Sequence, residues 1–414
     1  MTIAHTFSPV DISSIAFWAS TAVEREKTFK VLREHDPISW HPPAAGGILP
    51  VEEGDGFWAV VRHQDIRYVS NHPELFCSGR GVQMENHPAQ VLEATQSFLA
   101  MDPPRHTKLR RLVSAAFTPR RLATIEQQIR DQAARIIDEL LDTGDCDFVH
   151  HVSMRLPMWT ICEMVGVPED KRYLVAEAAD RLVSHADPDV RGDREPIQLM
   201  GESIFALAGT ALEMVQARRA EPQDDLMTSL VHAEVDGERL TDDEITAFFC
   251  LLAVAGNDTT RNTITHGVKA LQDFPEQRRW LAADFEGRIG PAIEEFVRWA
   301  SPVVTFRRTA TRDVELAGHQ IAAGEKVVMF YPSGNRDESV FDNPDTLDLG
   351  RELNPHLAFG GGGPHYCMGN MLAKRQLRAL FEELLFRVPN LSVGEPQYLV
   401  SSFVHAVKRL PCTL

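Results

Sequence analysis

Residues Phe359–Gly369 read FGGGGPHYCMG, four glycines in a row and then a proline, a histidine and a cysteine. The text that follows, MLAKRQLRALFEELLFRV, has helical periodicity, so Cys367 stands at or just before a helix N-terminus. There the free amides and the positive end of the helix dipole favour a thiolate. Glycines let backbone N–H groups approach the sulfur and a flat ligand closely. Three chemistries compete for such a loop. A phosphate cradle puts glycines before a helix, but GxGxxG with a preceding strand, or a closing Gly-Lys-Ser/Thr, is missing. A zinc site could use His365 and Cys367, but further paired ligands are missing. The third is an axial thiolate on haem iron, which pushes electron density towards O–O cleavage.

Around this loop the 414-residue chain reads mainly as helix. Arg120–Thr143 carries Leu122, Ile125, Ile129, Ala133, Ile136, Ile137 and Leu140 near helical spacing, and Met200–Arg219 reads similarly. Thr241-Asp-Asp-Glu244 is a capping-box start for a helix running to about Asp273, before Pro275. Its middle, AGNDTT (255–260), sets poor helix formers in an apolar core helix, and a buried Asp258 there needs a compensating role. Strand text is sparse: Trp58–His63, and the run Val314–Met329, where VEL and EKVVM flank the turn Ala323-Gly324. A large α-rich body with a small β portion follows, packed as one domain over residues 1–414.

The net charge of -17 argues against general nucleic-acid binding. The N-terminus lacks a signal-peptide pattern, and the longest apolar run near mid-chain, Phe248–Ala255, is too short for the ~20 residues a membrane span needs. A cytoplasmic protein without a membrane anchor is expected. The six cysteines form no CxxC pair, which argues against disulfides and structural zinc.

Seven stretches, in order, resemble the cytochrome P450 monooxygenases, specifically the bacterial soluble class. MDPPRHTKLRRLVSAAFTPRR (101–121) resembles the family's helix at the haem edge, and AVAGNDTTRN (253–262) its oxygen-binding helix. EEFVRW holds the ExxR pair Glu295 and Arg298, and FRRTATRDVEL the matching Arg308. GNRDESVFDNP and LDLGR resemble the meander with Arg351, and FGGGGPHYCMG resembles the cysteine loop. The loop carries one extra residue: Gly360 stands where the family usually has its phenylalanine, and Phe359 lies one further back.

The resemblance implies a triangular, mainly α body with a smaller β-rich part, and haem b as cofactor. It makes Cys367 the axial iron ligand. It places His106, Arg110, Arg308 and His365 at the haem propionates, which need charge-assisted partners; the alternative for each is an ordinary ion pair or cap. Ala255, Phe359, Gly360 and Gly369 fall at haem-contacting positions. Asp258 and Thr259 match the acid–alcohol pair that delivers protons during O2 cleavage. A helical threonine also bonds back to the i−4 carbonyl, here Ala255, and a local widening at Ala255-Gly256 is expected. Glu295, Arg298 and Arg351 match a buried ion network beneath the cysteine loop.

For substrate, Val303, Val304, Thr305 and Phe306 are candidate lining residues, as are Gly79–Leu99 and roughly Leu174–Phe205, with core packing the alternative at each. Their apolar character implies a hydrophobic small molecule, and GNDTTRN is similar to actinobacterial members that oxidise lipids and sterols. Electrons are expected from an external ferredoxin and ferredoxin reductase, docking on a basic patch of Lys374, Arg375, Arg378, Lys108, Arg111, Arg120 and Arg121, unless these simply form a solvated helix face. The rival from another class is a haem-thiolate ligand-binding or sensor protein without turnover. The acid–alcohol pair favours the enzyme.

Overall fold

The capping box at Thr241 forms as the sequence predicts. The Thr241 hydroxyl accepts from the Glu244 amide at 3.1 Å, and the Glu244 carboxylate accepts from the Thr241 amide at 3.0 Å. From that start one α-helix runs Asp242–Asp273, roughly 48 Å long. It is buried on most of its surface, because helices Arg155–Val165, Glu169–Ser184 and Pro196–Ala220 pack on it together with Phe285–Ala300 and Asn370–Arg387. The computed structural model describes residues 5–45, 55–88, 90–92, 97–114, 119–235 and 237–414, without the side chains of 119–124 and 235.

The helix Pro119–Thr143 starts one residue before the expected boundary. Its stripe Ile125, Ile129, Ala133, Ile136, Ile137 and Leu140 is buried in the main core, and Leu122 lies outside the described side chains. Each fully buried aliphatic chain stabilises the fold by roughly 1.5–3 kcal/mol, so this stripe sets how the helix docks on Asn370–Arg387.

The β part is a five-stranded sheet in the order Ile38–His41, Phe57–Val60, Lys326–Phe330, Thr305–Ala310, Phe76–Cys77. Two short sheets complete the C-terminal region: Ser392–Val393, Pro411–Thr413 and Cys146–Asp147 in one, Gln397–Tyr398 and Val407–Arg409 in the other. Strand pairing corrects the reading around residue 324. Val314–Leu316 pairs with His319–Ile321 across Ala317-Gly318, while Lys326–Phe330 runs antiparallel to Thr305–Ala310 and parallel to Phe57–Val60. The run Thr305–Ala310 is an interior strand, of which the sequence reading took the first two residues, Thr305 and Phe306, for pocket lining. Both sheet faces are covered there, so its burial is nearly continuous and the alternation that marks a strand is lost. Among the described residues no helix is long and apolar enough to cross a membrane.

Candidate active site

The cysteine loop answers why so many glycines are needed. Gly360, Gly362 and Gly363 have φ of +103°, +100° and +70°, a region that side chains disfavour. A Cβ on Gly361 would collide with the Ser70 hydroxyl, and one on Gly363 with the Ser70 carbonyl. Helix His63–Asn71 thus sits directly on the loop, and Asn71 Nδ2 donates to the Gly361 carbonyl at 2.9 Å. The loop closes where the Cys367 amide donates to the Phe359 carbonyl at 2.9 Å. The extra residue therefore leaves Phe359 as the closing acceptor. Its ring lies under the Lys374 ammonium at 5.2 Å and beside His356 at 5.6 Å.

Cys367 precedes the helix Asn370–Arg387 by three residues, with Gly369 as the N-cap. Burial pushes its thiol up, while the amides of Gly369 and Asn370 and the Arg110 guanidinium pull it down. In the protein alone burial outweighs the helix terminus, so a cation at the sulfur is what would make a thiolate the preferred form.

Cys367 lines a cavity of about 230 Å³. Arg110, Arg308, His365, Ala255, Thr259, Phe359, Gly360 and Gly369 share that lining. His106 stands just behind, its ring 4.3 Å from that of His365. Both His106 ring nitrogens are buried without a hydrogen-bond partner among the described residues. Arg308 is 5% exposed, and its one recorded hydrogen bond among the described residues is to the Arg307 carbonyl at 2.8 Å. Burial lowers the pKa of Arg308, Arg110, His106 and His365 alike. Arg110 meanwhile donates to the Tyr366 carbonyl at 2.5 Å, and Ser78 Oγ lies 3.1 Å from His365 Nε2. A desolvated guanidinium facing a cavity without an anion is a costly arrangement unless an anionic ligand completes it.

The opposite wall is the long helix. Phe248, Leu251, Leu252, Ala255 and Thr259 line the cavity at helical spacing, with Phe98 stacked on Phe248 at 5.8 Å. The spacing of Phe248, Leu251 and Leu252 was readable in FFCLLAVA; the part played by Tyr331 and Ser70, which also line the cavity, left no sequence signal. Of the expected Val303, Val304, Thr305 and Phe306, Val303 and Phe306 line it. Val304 points into the core with Phe57 and Phe330, and Thr305 Oγ1 donates to the Ser402 carbonyl at 2.8 Å. Phe98 and Leu99 alone represent Gly79–Leu99, part of which lies outside the described residues; Leu174–Phe205 contributes nothing.

Thr259 Oγ1 donates to the Ala255 carbonyl at 2.9 Å. The expected widening is absent: the helix is α-helical throughout, and Gly256 is small because Ile161 packs against it. Asp258 is not in the cavity wall. Its carboxylate lies 2.6 Å from Arg261 Nη2, without an aligned donor, and Arg261 Nη1 donates to Asp180 at 2.5 Å. Burial pushes the Asp258 carboxyl well above the ordinary range; Arg261 opposes this and Asp180 adds to it.

Beneath the loop every oxygen of Glu295 is engaged. Arg298 grips it with Nε and Nη2 at 2.8 and 2.7 Å, and Arg351 Nε, Asn354 Nδ2 and the Asp348 amide approach at 3.2, 3.0 and 3.0 Å. The expected basic patch is not bare. Lys374 pairs with Glu294, Arg375 with Glu126, Arg378 with Glu286 and Lys108 with Glu238. Arg111 also has a partner, and the side chains of Arg120 and Arg121 lie outside the described residues.

A half-buried cysteine at the foot of an apolar cavity, with guanidinium and imidazole groups around it, is the donor set that a haem-thiolate oxygenase needs. The sequence model described as Cytochrome P450 matches residues 289–391. The methyl-branched lipid omega-hydroxylase of Mycobacterium tuberculosis is 43% identical over 410 residues, 98% of this chain and 94% of that one. The steroid C26-monooxygenase of Rhodococcus jostii is 37% identical over 388 residues, 92% of this chain and 80% of that one. The solved Mycobacterium marinum cytochrome P450 CYP268A2 in complex with pseudoionone superposes with a TM-score of 0.97 at 55% identity, covering 100% of both chains. The chain belongs to the cytochrome P450 family, and it is a monooxygenase that takes a haem. The residues present fit that group: an apolar cavity lies against Cys367, the His106 ring nitrogens are buried without partners among the described residues, and Arg308 at the same wall is bonded to one carbonyl, so the group's carboxylates would find donors there.

Proposed function

We propose that this protein hydroxylates an apolar, methyl-branched lipid or isoprenoid chain near its end. The observation that carries the reading is one cavity with two characters: charged and polar groups gather around Cys367, while Phe98, Phe248, Leu251, Leu252, Val303 and Phe306 make the far wall apolar. An apolar wall holds a hydrocarbon tail and offers a polar headgroup nothing, so a tail would enter end-first. The relatives named for methyl-branched lipids and the neighbour bound to pseudoionone support that substrate class.

In this reading Cys367 holds the iron of haem b, and His106, Arg110, Arg308 and His365 hold its propionates. A bound haem supplies the electron and dioxygen chemistry that places one oxygen atom in the substrate and releases the other as water. The chain supplies the rest. Thr259 presents a hydroxyl at the cavity wall, held by Ala255 until a better acceptor arrives. Asp258 is the acid next to Thr259 in the chain, its burial favours the protonated form, and Arg261 links it to Asp180, which is 37% exposed, so a proton lost towards Thr259 Oγ1 would be restored by water on that side. The apolar wall excludes water. Electrons come from an external ferredoxin with its reductase, meeting the face of Lys374, Arg375 and Arg378. An acidic partner there exchanges with Glu294, Glu126 and Glu286 for those cations. Residues 1–414 act as one catalytic domain in the cytoplasm.

The test is turnover with a surrogate ferredoxin and reductase on a branched fatty acid, its straight-chain analogue and a sterol. Terminal hydroxylation of the branched chain in preference to the others is expected; equal rates on all three would reject the substrate assignment. Cys367→Ser is expected to abolish activity and the thiolate-type carbon monoxide spectrum. Retention of that spectrum would remove Cys367 as the ligand.

A further inference from the structure

Outside the cavity lining, the strand Pro411–Thr413 sits between Ser392–Val393 and Cys146–Asp147. In that register Cys412 faces Cys146 directly across the antiparallel pair, and the two sulfurs are 3.5 Å apart. Facing cross-strand residues bring their Cβ atoms near the ~3.5–4.5 Å that a disulfide requires. The sulfurs, already 3.5 Å apart, need a further approach of about 1.5 Å to reach disulfide length. Cys412 is buried and Cys146 half-buried. Burial raises both thiols, Cys412 to about 12, and Asp145 and Asp147 add to the effect at Cys146. The more accessible Cys146 is thus the sulfur an oxidant meets first, and the pair stays reduced until one arrives.

What the pair joins gives it a consequence. The segment ending in Cys412 also backs the cavity wall: the Val304 amide donates to the Phe403 carbonyl at 2.8 Å, Val404 bridges Val303, and the Val407 amide donates to Asn262 Oδ1 at 3.0 Å. Cys146 lies just past the helix Pro119–Thr143. We propose that Cys146 and Cys412 are a redox-active dithiol that a peroxide closes to a disulfide, stapling the C-terminal strand to the end of that helix. In the first step Cys146 gives up its thiol proton and its sulfur attacks a peroxide oxygen, the O–O bond breaks, the leaving hydroxide takes a proton to become water and a sulfenic acid remains. In the second the Cys412 sulfur attacks Cys146, the S–O bond breaks and water leaves with the thiol proton. Two thiols lose two electrons and two protons, and the peroxide is reduced to two waters.

This site is independent of the substrate reading, and its test needs no turnover. The haem-loaded full chain is treated with diamide, whose N=N bond takes up the two electrons and two protons without peroxide damage to the haem. Free thiols are then alkylated in denaturant and peptides mapped by mass spectrometry. The expected result is a cross-linked peptide joining Cys146 to Cys412, 2 Da lighter than the two thiol peptides together and restored by dithiothreitol. The thermal midpoint is expected to rise by roughly 3–6 °C, a rise that Cys146→Ser lacks. Full alkylation of both cysteines after diamide, or cross-links to other cysteines in place of this one, would overturn the proposal. Where Cys412→Ser fails to fold, the wild-type peptide map alone decides.

Discussion

Two buried charged clusters flank the cysteine loop, and they differ in completeness. Under it, Glu295 receives donors from Arg298, Arg351, Asn354 and the Asp348 amide, and Arg298 is capped further by the carbonyls of Asn335 and Pro344. Above it, Arg308 and His106 are as deeply buried, yet Arg308 is recorded with one carbonyl and His106 with no hydrogen-bond partner among the described residues. Buried polar groups in a finished structure are satisfied. The lower cluster is finished by the chain alone, so it belongs to folding. The upper one is left incomplete by the chain, and in the proposed reading the cofactor completes it.

The largest effect should come from breaking the finished cluster. Arg298→Leu strips Glu295 of its two-pronged partner and leaves a buried carboxylate with Arg351 as its one remaining cation among the described residues, at a cost of about 3–5 kcal/mol. Burial alone would raise Glu295, but the Arg298 hydrogen bonds hold it below its ordinary value, so its contribution is present above that value and lost as pH falls. Chemical denaturation of the variant should show little folded protein. A fully folded Arg298→Leu would erase the contrast between the clusters.

Next is the unfinished cluster. Arg308→Ala should leave the denaturation midpoint of the haem-free chain nearly unchanged or slightly raised, since an uncompensated buried charge is removed. Haem binding should weaken by roughly ten- to a hundred-fold, the equivalent of one charged hydrogen bond of about 1.5–3 kcal/mol. Haem transfer to an acceptor protein measures it; a loss of folding without loss of haem affinity would reverse the assignment.

The smallest effect sharpens the same contrast at Asp258, a half-finished case with one misaligned ion pair. Its folded pKa is raised from 3.8 to about 7, so the protonated acid favours folding at low pH and that contribution is lost as pH rises across this window. Asp258→Asn should flatten the pH dependence of stability between about 4 and 7 by roughly a unit's worth or more, about 1.4 kcal/mol per unit. Its coupled turnover should also fall, with more NADH or NADPH consumed per product. A variant with an unchanged pH profile would place the titration elsewhere.

How much of this was legible in sequence follows the kind of contact. Helices with their own punctuation were readable: Thr241 and Glu244 start the long helix by contacts three residues apart. The cysteine loop was readable because four glycines are costly unless geometry demands them. Lining residues were partly readable. Thr305 was misjudged because a strand presents neighbours to opposite faces and its covered sheet hid that Phe306, not Thr305, meets the cavity; Val304 precedes the strand and packs into the core, which its apolar side chain did not reveal. The fate of Asp258 was not readable, because Asp180 lies 81 residues before Arg261 in the chain. The acid partners of Lys374, Arg375 and Arg378 were hidden for the same reason.

The close seat of Ser70 and Asn71 on the glycine run has a consequence for how the enzyme reports on itself. The position of the sulfur is gauged against a helix some 290 residues earlier in the chain. Damage to the N-terminal third that shifts His63–Asn71 by even an ångström should therefore read out as a changed absorption band at the iron, long before the molecule loses its overall shape.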